Sequence, residues 1–382
     1  MSPETLLFVL LRSAVCEKEI APDVMEACTT EMLNQVYILA QKHDIAHLPG
    51  HVLGKLQLPE SEPRKKMIKA AHMAVFRYAR IDREIERICT VLEEERIPFL
   101  PLKGAVVREC YPEPWMRTSC DIDILVHEED LERATDALVS RLTYATDHYK
   151  QYHDVSLFSN SGVHLELHFS IQENMENIDR LLCKVWDYAI PVTDYRYQLE
   201  RSFLVFHLLA HMSYHFMGGG CGIRPFLDLF LLQKQHFYDE KMLRRHLSQC
   251  GIEKFYDGVL ALIGAWFRGQ EHTELTRRIE NYLFNGGTYG SQQQRIAVQQ
   301  ERKGGKMGYL LERIFMPYDH LKIKYRVLEK HPILYPVMQM RRWGELLKPG
   351  KLSRSIRELE INQQTQKKQA EETNEILLDL GL

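Results

Sequence analysis

The sequence predicts an α+β protein, in which a small mixed β-sheet is embedded in a largely α-helical chain. The sheet region is expected to run strand, helix, strand, helix, strand, strand. Three observations support this fold class: the alternating pattern of CDIDILV, the hairpin pattern of HDVSLFS-NSG-VHLELHF, and the helical spacing of apolar residues on both sides of them.

The first 96 residues are predicted to form an N-terminal helical region. Apolar residues recur at helical spacing in the segments 6–11 and 67–81. The pattern changes at IPFLPLKG, an apolar run that contains Pro98 and Pro101 and ends at Gly104. This run predicts a strand that leads into a turn and the start of a helix. The sheet-containing core is therefore expected to begin at residue 97, and we place its end at residue 195.

Two strands of this core carry acidic side chains in an alternating pattern. Residues 120–126 read CDIDILV, so Asp121 and Asp123 lie on one face of a strand. EEDLERATDALVSRL has helical spacing and follows directly. In the final strand of the hairpin, VHLELHF, Glu166 shares a face with His164 and His168. If the two strands are neighbours, the three carboxylates converge.

The chain after the core is predicted to be helical again. We expect a C-terminal helical domain over residues 196–347 and a charged tail, helical or disordered, over 348–382. Helical patterns include RSFLVFHLLAHMSYHF, KMLRRHL and the segments 260–267 and 309–315, whereas the glycine cluster at 218–222 and GGTYG at 286–290 predict loops.

Composition narrows the class of partner. Lys and Arg total 49 against 52 Asp and Glu, for a net charge of -3, so a nucleic acid is not the favoured partner.

The eight cysteines are scattered without a C-x-x-C pair, which is typical of reduced thiols in a cytoplasmic protein. No apolar run approaches the roughly 20 residues that span a bilayer. The expectation is a soluble protein that does not enter the membrane.

The carboxylate pattern predicts a metal site. Asp121 and Asp123 would repel each other without a cation between them, and Mg²⁺ prefers hard oxygen ligands. Glu166 would complete the site for two Mg²⁺ ions, with Mn²⁺ as a second candidate, and could also act as general base. The alternative interpretation, that a D-x-D pair is merely solvated, is favoured for the pair alone; the order of the surrounding elements favours the metal site.

Other polar residues suggest a second half of the site. His207, His211 and His215 recur every four residues and form one stripe on a helix, which could line a substrate cleft, bind a metal or be a hydrogen-bonded polar face. Arg224 and Asp228 are spaced i, i+4 and are expected to pair with each other, with a role in binding an acceptor as the second possibility.

These motifs together resemble the DNA polymerase beta superfamily of nucleotidyltransferases, and in particular a poorly characterised bacterial branch. The matching segments are PLKGAVV, R-x-x-x-D-I-D-I-L-V from Arg117 to Val126, H-L-E-L-H from His164 to His168, H-x-x-x-H at His211 and His215, IRPFLDL and GGTYG. The superfamily usually has Gly followed by Ser or Gly in the phosphate-binding turn, whereas here Ala105 follows Gly104.

The resemblance implies transfer of a nucleoside monophosphate from a nucleoside triphosphate, with ATP favoured, to a hydroxyl of an unknown small molecule or protein. It implies that Asp121, Asp123 and Glu166 are catalytic and hold the metal, and that Lys103, Gly104 and Arg117 bind the nucleotide. His164, His168, His211, His215, Arg224 and Asp228 are then candidates for substrate binding. Two alternatives stay open: an inactive nucleotide-binding or scaffold module, and a metal-dependent phosphohydrolase that uses the histidine stripe.

Overall fold

The structure is a computed structural model that describes residues 1–150, 153–287, 314–318, 321, 325, 327–346 and 367–382. It has an α+β fold in which a five-stranded mixed sheet lies among many helices. Among the described residues, no helix combines the length and the apolar character needed to cross a membrane.

The N-terminal region is helical, as its spacing predicts. Its helices are α1 (Pro3–Cys16), α2 (Pro22–Ala27), α3 (Thr30–Lys42), α4 (His47–Lys55) and α5 (Glu62–Glu94). The start of α1 shows why the chain turns helical there: the hydroxyl of Ser2 accepts a hydrogen bond from the amide of Thr5, and Pro3 occupies the first turn.

The sheet region contains one strand more than the sequence predicts. Its elements are β1 (Phe99–Pro101), α6 (Gly104–Val107), β2 (Asp121–Val126), α7 (Leu131–Leu142), β3 (Ala145–Lys150), β4 (Asp154–Phe158) and β5 (His164–His168). The strand order is β1-β2-β5-β4-β3, with β2 and β5 parallel and the other pairs antiparallel. The extra strand, β3, is the outer strand beside β4.

The two faces of the sheet differ in polarity. Ile122, Ile124 and Leu165 lie on the face that packs against α5 and α7 in one apolar cluster. Because side chains alternate along a strand, Asp123 and Glu166 lie on the opposite face. The alternation of DIDILV and HLELH thus buries one side and leaves the acidic side for a site.

The remaining elements are mostly helices, together with a short two-stranded sheet that the sequence analysis did not predict. They are α8 (Glu176–Leu182), β6 (Ala189–Pro191), β7 (Tyr197–Leu199), α9 (Arg201–Met217), α10 (Arg224–Lys234), α11 (Glu240–Cys250), α12 (Glu253–Phe267), α13 (Glu274–Gly286), α14 (Val327–Lys330), α15 (Tyr335–Leu346) and α16 (Lys367–Asp379).

One apolar core joins the two ends of the chain. Leu10 of α1, Phe206 of α9 and Phe255 of α12 are fully buried in the same cluster, and Ile376 and Leu377 of α16 are buried in it too. The end of the expected charged tail is therefore a packed helix. Most of the expected helix at 309–315 and the GGTYG residues 288–290 lie outside the described residues.

Candidate active site

A cavity of about 350 Å³ lies on the acidic face of the sheet, between β2, β5 and the helices α9 and α10. Its polar lining consists of Lys103, Gly104, Arg117, Ser119, Asp121, Asp123 and Glu166 from the sheet region, and His211, His215, Arg224 and Asp228 from the helices. Leu208, Met212 and Leu229 add apolar surface on the helical side. The sheet side of the cavity is therefore acidic, and the helical side is partly polar and partly apolar.

Parallel pairing of β2 and β5 brings the three carboxylates together. Asp123 is the register partner of Glu166, and Asp121 is the partner of His164. One ligand atom each of Asp121, His164 and Glu166 lie within 4.8 Å of one another, and the same holds for Asp123, Glu166 and His168. Glu166 therefore belongs to both groups and links the two aspartates.

His168 ties two of these carboxylates together. Its Nε2 lies 3.0 Å from Asp123 Oδ1 and 3.4 Å from Glu166 Oε2. Burial lowers the pKa of His168, but the hydrogen bonds to Asp123 and Glu166 outweigh this and raise it to about 9. A buried imidazole that binds two carboxylates fixes their orientation, so His168 positions the acidic group.

Neither of the strand histidines forms part of the cavity wall. His164 Nδ1 lies 3.9 Å from Glu166 Oε1, and its ring stacks on Phe158 with the ring centroids 4.6 Å apart. His164 and His168, the two strand candidates for substrate binding, thus both contact carboxylates.

Lys103 places a second positive charge beside the acidic group, next to that of His168. Its Nζ lies 3.6 Å from Asp123 Oδ1. Burial lowers the pKa of Lys103, but the charges of Asp123, Glu173 and the other nearby carboxylates outweigh this and raise it. The backbone of Lys103 has φ 39°, which is costly for a residue with a side chain and is often found at functional sites.

The two aspartates respond differently to their surroundings. For Asp121, burial and the charges of Asp123 and Glu166 raise the pKa of the carboxyl. For Asp123, burial acts in the same direction, but Lys103 and the hydrogen bond from His168 hold the pKa below its usual value. The cluster therefore carries uncompensated negative charge at Asp121, which a cation would neutralise.

The donor set fits a hard divalent cation. Three carboxylates converge at an open cavity, and oxygen donors of this kind are the ligands that Mg²⁺ and Mn²⁺ take. A soft metal would call for thiolates, whereas both metal-compatible groups found in the described part of the chain consist of carboxylates and imidazoles.

The expected pairing of Arg224 with Asp228 is wrong. Asp228 accepts hydrogen bonds from Arg117 Nε and Nη2, at 3.1 and 2.9 Å, and from the hydroxyl of Tyr111 at 2.7 Å. Arg224 instead donates to the carbonyl of Thr118 at 2.9 Å and lies 3.7 Å from Asp44. Asp228 is thus bound to Arg117 and Tyr111, whereas Arg224, at the start of α10, contacts Thr118 and Asp44, so the two side chains take different partners.

Gly104 packs directly against this buried ion pair. A Cβ atom placed at Gly104 would lie 2.9 Å from Arg117 Nη1, so no larger residue fits without a shift. Because Arg117 is almost fully buried and bound to Asp228, its guanidinium supports the Gly104 turn from behind. The turn and the cavity are thereby coupled to α10.

The histidine stripe divides into a buried member and two cavity members. His207 is 1% exposed, and burial lowers its pKa to about 3. His211 Nδ1 lies 2.6 Å from Glu173 Oε1, and His211 Nε2 lies 3.0 Å from His215 Nε2. Glu173 was missed by the sequence analysis, because nothing in the spacing of QENMEN connects it with a helix 38 residues away.

Carboxylates that converge at an open cavity and could hold divalent ions are found in enzymes that act on phosphorus-containing groups. Comparison with protein families agrees: the model described as "Uncharacterised nucleotidyltransferase" matches residues 31–268, and the chain belongs to that family. It is therefore a transferase with a nucleotidyl-transfer role. Comparisons with curated proteins and with solved structures find no match.

Proposed function

We propose that the protein transfers a nucleoside monophosphate, from ATP or a related triphosphate, to a hydroxyl of a small molecule or protein, with pyrophosphate as the second product. The observation that carries this proposal is the parallel register of Asp123 and Glu166, which places three carboxylates at one cavity. The motifs around them further support placing the chain in a bacterial branch of the DNA polymerase beta superfamily.

Asp121, Asp123 and Glu166 are proposed to hold Mg²⁺, or Mn²⁺, and to be the catalytic carboxylates. A metal held by these residues would supply positive charge to the phosphates of the nucleotide. His168 keeps Asp123 and Glu166 in place, since one imidazole nitrogen contacts both.

The strand-turn-helix at Lys103 and Gly104 is proposed to hold the phosphates. Lys103 supplies a positive charge beside the carboxylates, and Gly104 leaves the backbone accessible at the cavity. Arg117 contributes by keeping this turn in place, because its Nη1 lies against Gly104 while its Nε and Nη2 are bound to Asp228.

The helical wall is proposed to bind the acceptor. His211, His215 and Arg224 line the cavity opposite the carboxylates, with Leu208 and Met212 beside them. A nucleotide held on the sheet side would therefore have its phosphates directed toward these residues. Asp228 contributes indirectly, since its carboxylate is bound to Arg117 and Tyr111.

The phosphohydrolase alternative has less support. A metal on the histidine stripe would need His207, which is buried and does not line the cavity, and the metal-compatible groups found among the described residues do not include the stripe. The scaffold alternative predicts that nucleotide binds without transfer, so it is distinguished by activity rather than by geometry.

A labelling experiment tests the proposed function. The full chain is incubated with Mg²⁺, ATP labelled at the α-phosphate and an extract of the source cells, and transfer of label to any extract component is measured. We expect transfer with the wild type, and a loss of at least about 100-fold with Asp123→Asn. Asp136→Asn, on the exposed face of α7, is the matched control. Label transfer that survives Asp123→Asn would remove this carboxylate from the mechanism.

A further inference from the structure

Glu173 and His211 form a carboxylate–imidazole pair at the cavity. Glu173 lies between β5 and α8, and its Oε1 is 2.6 Å from His211 Nδ1. An ionised carboxylate only accepts hydrogen bonds, so Nδ1 carries the proton and donates it. In the neutral ring the other nitrogen, Nε2, then holds a lone pair and can accept a proton.

The lone pair on His211 Nε2 is directed at a second histidine. His215 Nε2 lies 3.0 Å away, and because His211 Nε2 is the acceptor, His215 is the donor. Both rings line the cavity that contains Asp121 and Asp123. The basic nitrogen of His211 is therefore satisfied by a side chain that a substrate hydroxyl could replace.

The surroundings keep the His211 ring neutral while leaving it accessible. Its side chain is 32% exposed, whereas that of Glu173 is 12% exposed. Burial of the ring and the nearby charge of Lys103 hold the pKa of His211 below its usual value. The other charged groups that act on it are Asp123, Glu166 and His168 from the sheet. A neutral imidazole is the form that can take up a proton.

We infer that His211 is the general base that removes the proton from the acceptor, with Glu173 as its positioning residue, and that the acceptor group is consequently a neutral alcohol. This inference rests on the proposed function. An acceptor that is already anionic, such as a phosphate or a carboxylate, has no proton to remove. The neighbouring Glu166 is engaged otherwise, because its carboxylate contacts His168 Nε2 at 3.4 Å and is proposed to hold the metal.

The acceptor hydroxyl takes the place of His215 at His211 Nε2 and transfers its proton to that nitrogen. The acceptor oxygen forms a bond to the α-phosphorus, the bond from that phosphorus to the bridging oxygen breaks, and pyrophosphate leaves with the electron pair. The imidazolium that results is stabilised by the carboxylate of Glu173, as in other carboxylate–histidine pairs.

The test uses the labelling assay with ATP labelled at the α-phosphate, Mg²⁺ and source-cell extract. His211→Asn, which keeps a donor for Glu173 but has no basic nitrogen, is expected to lower kcat by about 100-fold or more, with KM for ATP within about threefold of the wild type. Glu173→Gln is expected to lower kcat by at least about 10-fold, because the amide no longer offers His211 Nδ1 a partner that only accepts hydrogen bonds. His72→Gln, on the exposed face of α5, is the matched control.

Chemical rescue separates a base from a structural contact. Added imidazole is expected to restore part of the kcat of His211→Ala, and the same concentration should leave Asp123→Asn inactive. A kcat of His211→Asn within about threefold of the wild type, or no rescue of His211→Ala, would overturn this inference and leave the proposed function intact. Absence of label transfer by the wild type would remove both.

Discussion

Asp123 of β2 and Glu166 of β5 lie opposite each other on parallel strands and share the Nε2 of a single imidazole, that of His168. The imidazole of His168 reduces the repulsion between these two carboxylates when no metal is bound. Asp121, two residues earlier on the same face, has no such hydrogen bond among the described contacts, and burial together with its acidic neighbours raises the pKa of its carboxyl. The charge of Asp123 is therefore compensated by His168, whereas the charge of Asp121 has no such hydrogen-bond partner among the described contacts.

Removing the charge of Asp121 is expected to stabilise the metal-free protein. Asp121→Asn should raise the free energy of unfolding by roughly 1 kcal/mol in EDTA, because it removes the cost of burying the charge and the repulsion from Asp123 and Glu166. Asp123→Asn should not stabilise, since Asp123 accepts the hydrogen bond of His168. Urea denaturation in EDTA measures both, with Asp136→Asn as the control. An Asp121→Asn protein that is less stable than the wild type would contradict this account of the charge balance.

The buried ion pair of Arg117 and Asp228 should matter far more to stability than an exposed network. Arg117→Met leaves the buried carboxylate of Asp228 with the Tyr111 hydroxyl as its one remaining hydrogen-bond partner among the described residues, and we expect a loss of about 3 kcal/mol or more. Arg244→Met is the matched control: its guanidinium contacts Glu240, Glu253 and Asp257 at the surface, and the loss should stay below about 1 kcal/mol. If urea denaturation showed equal losses of unfolding free energy for the two variants, the buried pair of Arg117 and Asp228 would not be the stronger contribution to stability.

Acid sensitivity should fall when His43 is replaced. Its ring is 1% exposed, neither nitrogen has a hydrogen-bond partner among the described residues, and burial, with the charge of Lys42, lowers its pKa to about 4. The unfolded chain therefore binds a proton at higher pH than the folded one, and stability is lost as the pH falls below about 6.5.

His43→Phe should remove this contribution to the loss of stability at acid pH. The drop in unfolding free energy between pH 7 and pH 5 should shrink by up to about 2 kcal/mol relative to the wild type. The edge-on contact of the ring with Phe284 can be kept by the phenyl group. His72→Gln, exposed on α5, should leave the pH dependence unchanged. A His43→Phe protein with the wild-type pH dependence would assign the acid sensitivity to other groups.

Patterns over a few consecutive residues predicted the strands that have one buried face and the turn of the hairpin. DIDILV and HLELH alternate because one face of each strand is buried, and the NSG turn fixes the hairpin between β4 and β5. The outer strand β3 was missed because its sequence, ATDHYK, is polar and lacks the alternation that a half-buried strand shows.

Contacts between residues far apart in the sequence could not be predicted from such local patterns. Arg117 and Asp228 are 111 residues apart, and the i, i+4 rule favoured the wrong partner, Arg224, because spacing along a helix does not show which distant side chains a residue meets. The contact of Glu173 with His211 likewise depends on how the loop after β5 meets α9.

The most direct test of the carboxylate site is anomalous diffraction from crystals soaked with Mn²⁺ and a non-hydrolysable ATP analogue. We expect an anomalous peak whose ligands include Asp121, Asp123 and Glu166, next to the phosphates of the analogue. A peak at His207, His211 and His215 instead, or none at the carboxylates at millimolar Mn²⁺, would contradict the assignment of this cluster as the catalytic metal site.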